Sequence, residues 1–294
     1  MCMESVSVVL SVLLMGLIPV SQGPAAKDFA ADQLPLAPLA VTVDQPFPSH
    51  ALAQALSASG AAIVDMQSGQ RIFGRNAAER RPVGSLTKIM TALLIAESHR
   101  MNEVVTIPKD IARVSGSKVY LPLGNRFTVG DLLSALLVSS ANDAAETLAR
   151  FHSGSVKSFV RLMNERARVL GLKGTSFANP SGLDDNDQWS TASDVAWLAA
   201  YAFRQPEIRK RMSMASTTIR SREGETVQLE HTHALLGRGG PVVAGKTGTT
   251  SAAKECLLSI VEGHGREYIV VLLGSRERYV DMRIVLRILN SFFA

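Results

Sequence analysis

The sequence predicts an α+β domain: an antiparallel sheet flanked by helices, with a helical lobe inserted into it. Three observations lead there. Strand-like segments gather at both ends of the folded part, and segments with helical periodicity fill the middle. The composition suits a sizeable core, with 46% hydrophobic and only 19% charged residues among 294, which excludes an intrinsically disordered chain. A net charge of +5 is spread over scattered Lys and Arg residues with no nucleic-acid motif, so no nucleic-acid partner is expected.

Residues 1–26 read as a signal peptide. The apolar run over 6–20, VSVVLSVLLMGLIPV, is short for a bilayer span and resembles the core of a secretory leader. No Lys or Arg precedes it, and Pro24 interrupts the region where cleavage is expected, so an uncleaved anchor is the alternative and the one expected membrane contact. Either outcome implies an extracytoplasmic location, periplasmic or secreted. Residues 27–50 read as a Pro- and Ala-rich linker, and 51–294 as one folded domain. Cys2 falls in the leader; Cys256 then stands alone in CLLSIV and is expected to be a buried structural thiol.

The domain opens with two strands, 61–65 and 71–75, joined by a hairpin turn containing Ser68-Gly69. After Gly84, Leu86, Met90, Leu93 and Leu94 recur at helical spacing, predicting a helix over 85–98. Thr128 and Asp131 form a capping box that opens a helix ending near 138. A short break precedes a second helix from about 143. Val156, Phe159, Met163 and Leu170 mark another, stopped by Gly171. Thr191 and Asp194 read as a further capping box. From about 217 strands dominate, at 216–230 (a pair), 241–249, 255–262 and 268–274, and 281–293 closes the chain as an amphipathic helix. Because the outer strands lie at opposite ends of the chain, they are expected to meet in one sheet.

Three short motifs carry chemistry. Ser85-Leu86-Thr87-Lys88 is an S-x-x-K. A serine needs an adjacent base to become a nucleophile, and i, i+3 spacing puts Ser85 and Lys88 on one helical face. The positive helix N-terminus, burial and a second cation would each disfavour the lysine cation. Ser140-Ala141-Asn142 is an S-x-N in the break between two helices. There Ser140 can relay a proton to a leaving amine and Asn142 can hold a substrate amide. Lys246-Thr247-Gly248 is a K-T-G at the start of a strand. Lys246 offers a positive charge beside the serine–lysine pair, and Thr247 can donate to a substrate carboxylate. The backbone N–H groups of Ser85 and Thr249 are candidates for an oxyanion hole. Each string alone also reads as an ordinary helix cap or surface pair; their order and context are what matter.

Together they resemble the signature of the low-molecular-mass penicillin-binding proteins, the D-alanyl-D-alanine carboxypeptidase/endopeptidase family of serine peptidases. The hairpin with Asp65 and Ser68-Gly69, the helix SLTKIMTALLI, the block LLVSSANDAAETLA, the segment TSFANPSGLDD and the strand KTGTTSAAKECLLS are all similar to that family. The resemblance implies a β-lactamase/penicillin-binding-protein-like fold. It also implies Ser85 as acyl-ester nucleophile, Lys88 as proton acceptor, Ser140 and Asn142 as second-motif residues and Lys246 as substrate-binding, with Arg278 as partner of the terminal carboxylate. Two departures stand out. Many relatives have glycine where this chain has Lys254, and many have two asparagines where His231-Thr232-His233 stands. The H-x-H lacks a third ligand at useful spacing and is read as strand residues beside the cleft, so no metal or cofactor is expected. Neither the β-rich stalk nor the amphipathic C-terminal anchor of larger members is expected.

The expected activity is a serine-type D-Ala-D-Ala carboxypeptidase that trims peptidoglycan stem peptides through an acyl-enzyme, with β-lactam antibiotics as covalent inhibitors. A D,D-endopeptidase that cuts cross-links would use the same centre. A class A-like β-lactamase would need an additional glutamate, and 175–185 holds no E-x-x-L-N-like string. A wall-binding module without catalysis would not need all three motifs intact.

Overall fold

The computed structural model describes residues 47–293; the expected signal peptide and nearly all of the expected linker lie outside the described residues. Residues 47–50, which the sequence places in the linker, are among the described residues. Helix α1 spans Ser49–Ala55, and Phe47 packs between the rings of Phe73 and Phe292 at 6.2 and 5.1 Å between centroids. Phe47, within the stretch expected to be linker, thus packs against the domain through an aromatic contact that composition alone could not reveal.

Strands β1 (Gly60–Asp65) and β2 (Arg71–Arg75) form the first hairpin. Asp65 shapes its turn by accepting from the Gln67 and Ser68 N–H groups at 2.8 and 3.1 Å, an Asx turn. The chain then enters the helical lobe. A 3₁₀ turn over Gly84–Thr87 runs into α2 (Lys88–Ser98). The ribbon of β3 (Val104–Thr106) and β4 (Arg126–Thr128) precedes α3 (Val129–Leu137), α4 (Asn142–Ser153) and α5 (Val156–Val169). Then come α6 (Ala192–Ala202) and α7 (Pro206–Met212), and a second ribbon, β5 (Ser216–Arg220) with β6 (Thr226–Glu230). The chain returns to the sheet through β7 (Val242–Thr250), β8 (Lys254–Gly263) and β9 (Arg266–Ser275) and finishes in α8 (Arg278–Phe293).

The principal sheet has the order β2-β1-β9-β8-β7, antiparallel throughout. Its inner strands are covered on both faces. Ala62 and Val64 of β1, with Ile269, Val271 and Leu273 of β9, join the core shared with the lobe. Ala61, Ile63, Tyr268, Val270 and Leu272 join a second core beneath α1 and α8. The alternation of two faces within near-continuous apolar runs produces three layers. Helix α2 is the lobe's axis. It is buried from Lys88 to Ile95 on every side, not merely along the one apolar face its spacing suggests.

Local signals held where their partners are local. The capping box at the start of α3 is complete: Thr128 and Asp131 satisfy each other's backbone N–H groups. At α6 only half of the predicted box forms. Thr191 accepts from the Asp194 N–H at 3.0 Å, but the Asp194 carboxylate turns to Gly174 N–H and Thr175 Oγ1, both at 2.8 Å. A preceding loop competes for the carboxylate and wins.

Candidate active site

The site lies where the lobe meets β7, the edge strand of the sheet. Close backbone approach makes this seam possible. A methyl group at Gly248 would fall 2.7 Å from Val83 O and 2.9 Å from Ser85 N, and one at Gly182 would overlap Gly84 O at 2.0 Å. Only glycine lets the K-T-G strand and the following loop press this tightly on the turn that carries Ser85.

Ser85 stands in the 3₁₀ turn, half-buried, and Lys88 opens α2 with no exposed surface. Lys88 Nζ lies 2.8 Å from Ser85 Oγ, 2.6 Å from Asn142 Oδ1 and 2.6 Å from Ser181 O. The amide of Asn142 cannot be reversed, because its Nδ2 donates to Ser115 O at 2.8 Å, which turns Oδ1 toward the lysine. Two of the three neighbours can only accept; the third, a hydroxyl, can do either. A neutral amine has two N–H donors and one lone pair, so it can satisfy both acceptors and still receive the Ser85 proton. The protonated amine fits the same geometry with Ser85 as acceptor. The pocket thus holds both protonation states without rearrangement. Burial, and next the charge of Lys246, hold Lys88 well below the ordinary lysine range, while the Asp143 carboxylate pulls the other way. The helix dipole invoked from sequence is secondary to burial, since the amine is wholly removed from water.

Ser140 sits in the break between α3 and α4 at φ 59°, and its buried hydroxyl accepts from Lys246 Nζ at 2.7 Å. Lys246, also fully buried, donates further to Thr247 O at 2.9 Å. Burial first and the Arg278 guanidinium second bring its pKa down to about 7. Thr247 Oγ1 donates to Thr232 Oγ1 at 2.6 Å. Thr249 accepts from Arg278 Nη2 at 2.6 Å, and Arg278 Nη1 donates to Gly248 O and Cys256 O, each at 3.1 Å. Thr249 N lies 3.2 Å from where a Gly84 methyl would stand, so its N–H and that of Ser85 flank one Gly84–Gly248 contact. All eight residues singled out in the sequence therefore converge on one seam.

Sequence reading missed the groups that position them. Ser181 contributes only its carbonyl, held by the loop over 175–190. Asn179 Oδ1 organises that loop by accepting from Ser181 N–H, Gly182 N–H and Leu183 N–H at 3.2, 2.8 and 3.1 Å. Thr91 Oγ1 fastens the loop to α2 through Pro180 O at 2.7 Å. The string N-P-S-G was the available signal, since Asn before Pro-Ser-Gly marks a tight turn. His231 and His233 lie in the turn after β6, not in a strand as expected, because His233 leaves the ladder to meet Ser259 Oγ at 2.8 Å. Among the described residues there is no group of three His, Cys, Asp or Glu side chains arranged for a metal ion. Cys256 is buried, with its thiol pushed up to about 11 by desolvation, which suits packing and not nucleophilic attack.

A helical lobe pressed on an antiparallel sheet, with a serine–lysine pair at the seam, is the penicillin-binding-protein class of fold. The Streptomyces K15 DD-transpeptidase crystal structure superimposes with a TM-score of 0.74 at 27% identity, over 80% of this chain and 96% of that one. The chain belongs to the D-alanyl-D-alanine carboxypeptidase family, whose pattern matches residues 45–277. A D-alanyl-D-alanine carboxypeptidase of Bacillus subtilis is 33% identical over 74% of this chain and 57% of its own length. A D-alanyl-D-alanine endopeptidase of Pseudomonas aeruginosa is 29% identical over 70% of this chain and 68% of its own. The chain spans little more than half the length of the curated carboxypeptidases of B. subtilis and Escherichia coli that it matches (57% and 56%).

Proposed function

We propose that this chain is a serine-type D-Ala-D-Ala carboxypeptidase of the bacterial cell wall, acting outside the cytoplasmic membrane, with Ser85 as nucleophile. The observation that carries the reading is the Lys88 amine, fully buried and 2.8 Å from Ser85 Oγ, with its other two neighbours restricted to accepting.

In the proposed cycle Ser85 Oγ attacks the carbonyl carbon of the D-Ala-D-Ala bond as its proton passes to Lys88. The tetrahedral oxyanion faces the N–H groups of Ser85 and Thr249. The C–N bond then breaks. The leaving D-Ala amine takes one proton, which Lys88 returns by way of the Ser140 hydroxyl. Water adds to the ester, its proton follows the same route in reverse, and Ser85 is restored as the shortened peptide leaves. Lys246, Thr247 and Arg278 supply the donors for the terminal carboxylate. β7 is the edge of its sheet, which leaves a row of backbone groups free to pair with an extended peptide. A β-lactam presents a strained amide and a carboxylate in the same relation, so it is the expected covalent inhibitor.

A D,D-endopeptidase is the second reading, supported by the likeness to the P. aeruginosa protein of that name. Among the described residues no helix is long and apolar enough to cross a membrane. The purified protein is expected to be labelled by a fluorescent penicillin, and Ser85→Ala to abolish labelling; persistent labelling would refute the nucleophile. Mass spectrometry of products from uncross-linked pentapeptides and from cross-linked muropeptides then separates the two activities.

A further inference from the structure

Thr232 ties together three segments bordering the site: the end of α3, the start of α8 and the K-T-G strand. Its N–H donates to Val138 O at 3.2 Å, two residues before Ser140. Its carbonyl accepts from the Tyr279 hydroxyl at 3.1 Å, next to Arg278. Its own hydroxyl lies 2.6 Å from Thr247 Oγ1. The flanking histidines stiffen the turn: His231 Nδ1 accepts from His233 N–H at 3.0 Å, and His233 reaches Ser259 Oγ at 2.8 Å. Tyr279 closes the turn by accepting from Ala234 N–H at 2.9 Å. Gly245 makes room for this arrangement, since a methyl there would fall 2.5 Å from His233 Cδ2. Thr232 is nevertheless exposed, whereas Thr247 is 8% exposed. A solvent-facing residue whose backbone is fixed at two points and whose hydroxyl meets Thr247 at a third is poorly suited to a packing role and well suited to serve a ligand.

A threonine hydroxyl has one proton to give. At rest Thr247 spends it on Thr232. To donate to a bound carboxylate, Thr247 must rotate its O–H away, and its oxygen then lacks a donor unless Thr232 reverses and donates in return. The reversed pair is an ordered relay, Thr232 O–H to Thr247 Oγ1 and Thr247 O–H to carboxylate, in which the first bond polarises the second.

We propose that Thr232 is a positioning residue that orients Thr247 toward the terminal carboxylate of a peptide substrate. The inference rests on the carboxypeptidase reading above and deepens it, since it specifies a substrate with a free C-terminal carboxylate.

Steady-state kinetics on a peptide ending in D-Ala-D-Ala test it. T232V keeps the shape and removes the hydroxyl; KM is expected to rise about tenfold, with kcat changed by less than about threefold. T232S keeps the hydroxyl and is expected to restore KM to within about twofold. Adding T232V to T247V is expected to cost little more than T247V alone, because the relay is already broken. An unchanged KM in T232V, a loss confined to kcat, or additive effects in the double variant would overturn the proposal, as would T232S behaving like T232V. Should T232V fail to fold, T232A carries the same expectations. Wild-type enzyme that neither labels with penicillin nor releases D-Ala would sink the carboxypeptidase reading, and this inference with it. Active wild type with an unaltered T232V sinks the inference alone.

Discussion

Ser140 accepts a 2.7 Å hydrogen bond from Lys246 while its own backbone is held at φ 59°, in the left-handed region. The two facts are connected. The neighbouring N–H groups of Ala141 and Asn142 are tied to Ala135 O at 3.0 Å and Ser117 O at 2.7 Å. The chain between α3 and α4 must reverse within one residue, and in doing so it aims the hydroxyl at the buried ammonium. A non-glycine residue in this conformation costs on the order of 1 kcal/mol or more.

That cost is measurable. Ser140→Gly is expected to raise the unfolding free energy by about 1 kcal/mol relative to Ser140→Ala, which keeps the strain. Both are expected to slow acylation by fluorescent penicillin about a hundredfold, because both remove the hydroxyl proposed to relay the proton. Equal stabilities of the two variants would remove the argument for strain.

The burial of Lys246 costs stability. Its pKa in the folded state is about 7, below that of an exposed lysine, so between these values the unfolded chain binds a proton that the folded chain resists. Stability at this site is therefore fully present only above the unfolded value. It is lost by about 1.4 kcal/mol per unit as pH falls toward 7. Lys246→Met removes that penalty but leaves Ser140 Oγ and Thr247 O without their donor, about 1–2 kcal/mol each. The variant is expected to be more stable at pH 7 by about 1–3 kcal/mol in denaturant unfolding, and to lose penicillin labelling at least a hundredfold. A less stable variant would show that the charge is better compensated than its burial implies.

Lys254 adopts φ 57° at the first position of β8, directly after the turn from β7, with its side chain exposed. The glycine expected there from relatives would fit that backbone without strain. Lys254→Gly is expected to stabilise the fold by roughly 0.5–1 kcal/mol with unchanged acylation. Thermal unfolding of the two proteins side by side decides it.

The two histidines beside Thr232 set an acid limit. Burial leads the shift in both cases, bringing His231 to about 3 and His233 to about 4. Above the ordinary histidine range both states are neutral and stability is full. As pH falls below about 6.5, the unfolded chain takes up two protons that the folded one refuses. About 1.4 kcal/mol per unit is then lost for each histidine, until their folded values are reached. Wild type is expected to lose roughly 2–3 kcal/mol per unit between pH 6 and 4.5. His231→Asn with His233→Asn is expected to flatten that slope; an unchanged slope would place the acid sensitivity elsewhere.

By itself the sequence determined the α+β class, both strands of the opening hairpin, a helix over 85–98 whose first turn proves to be 3₁₀, the box at Thr128 and Asp131, and the residue types of all three motifs. These depend on periodicity, capping and short strings whose partners lie within a few positions, so local order suffices to reveal them. It could not show that α2 is buried all round, that Asp194 would desert its cap for Gly174, or that His233 would leave the ladder for Ser259. The tertiary structure alone decided that the carbonyl of Ser181 and the amide of Asn142 would bracket Lys88, and that Thr232 would tie the end of α3 to Thr247 and Tyr279. Those relations join residues from 15 to more than 90 positions apart, and a backbone carbonyl leaves no mark on the identity of its residue. Desolvation, the largest influence on both lysines, comes from everything packed around them and has no signature in any one stretch of chain.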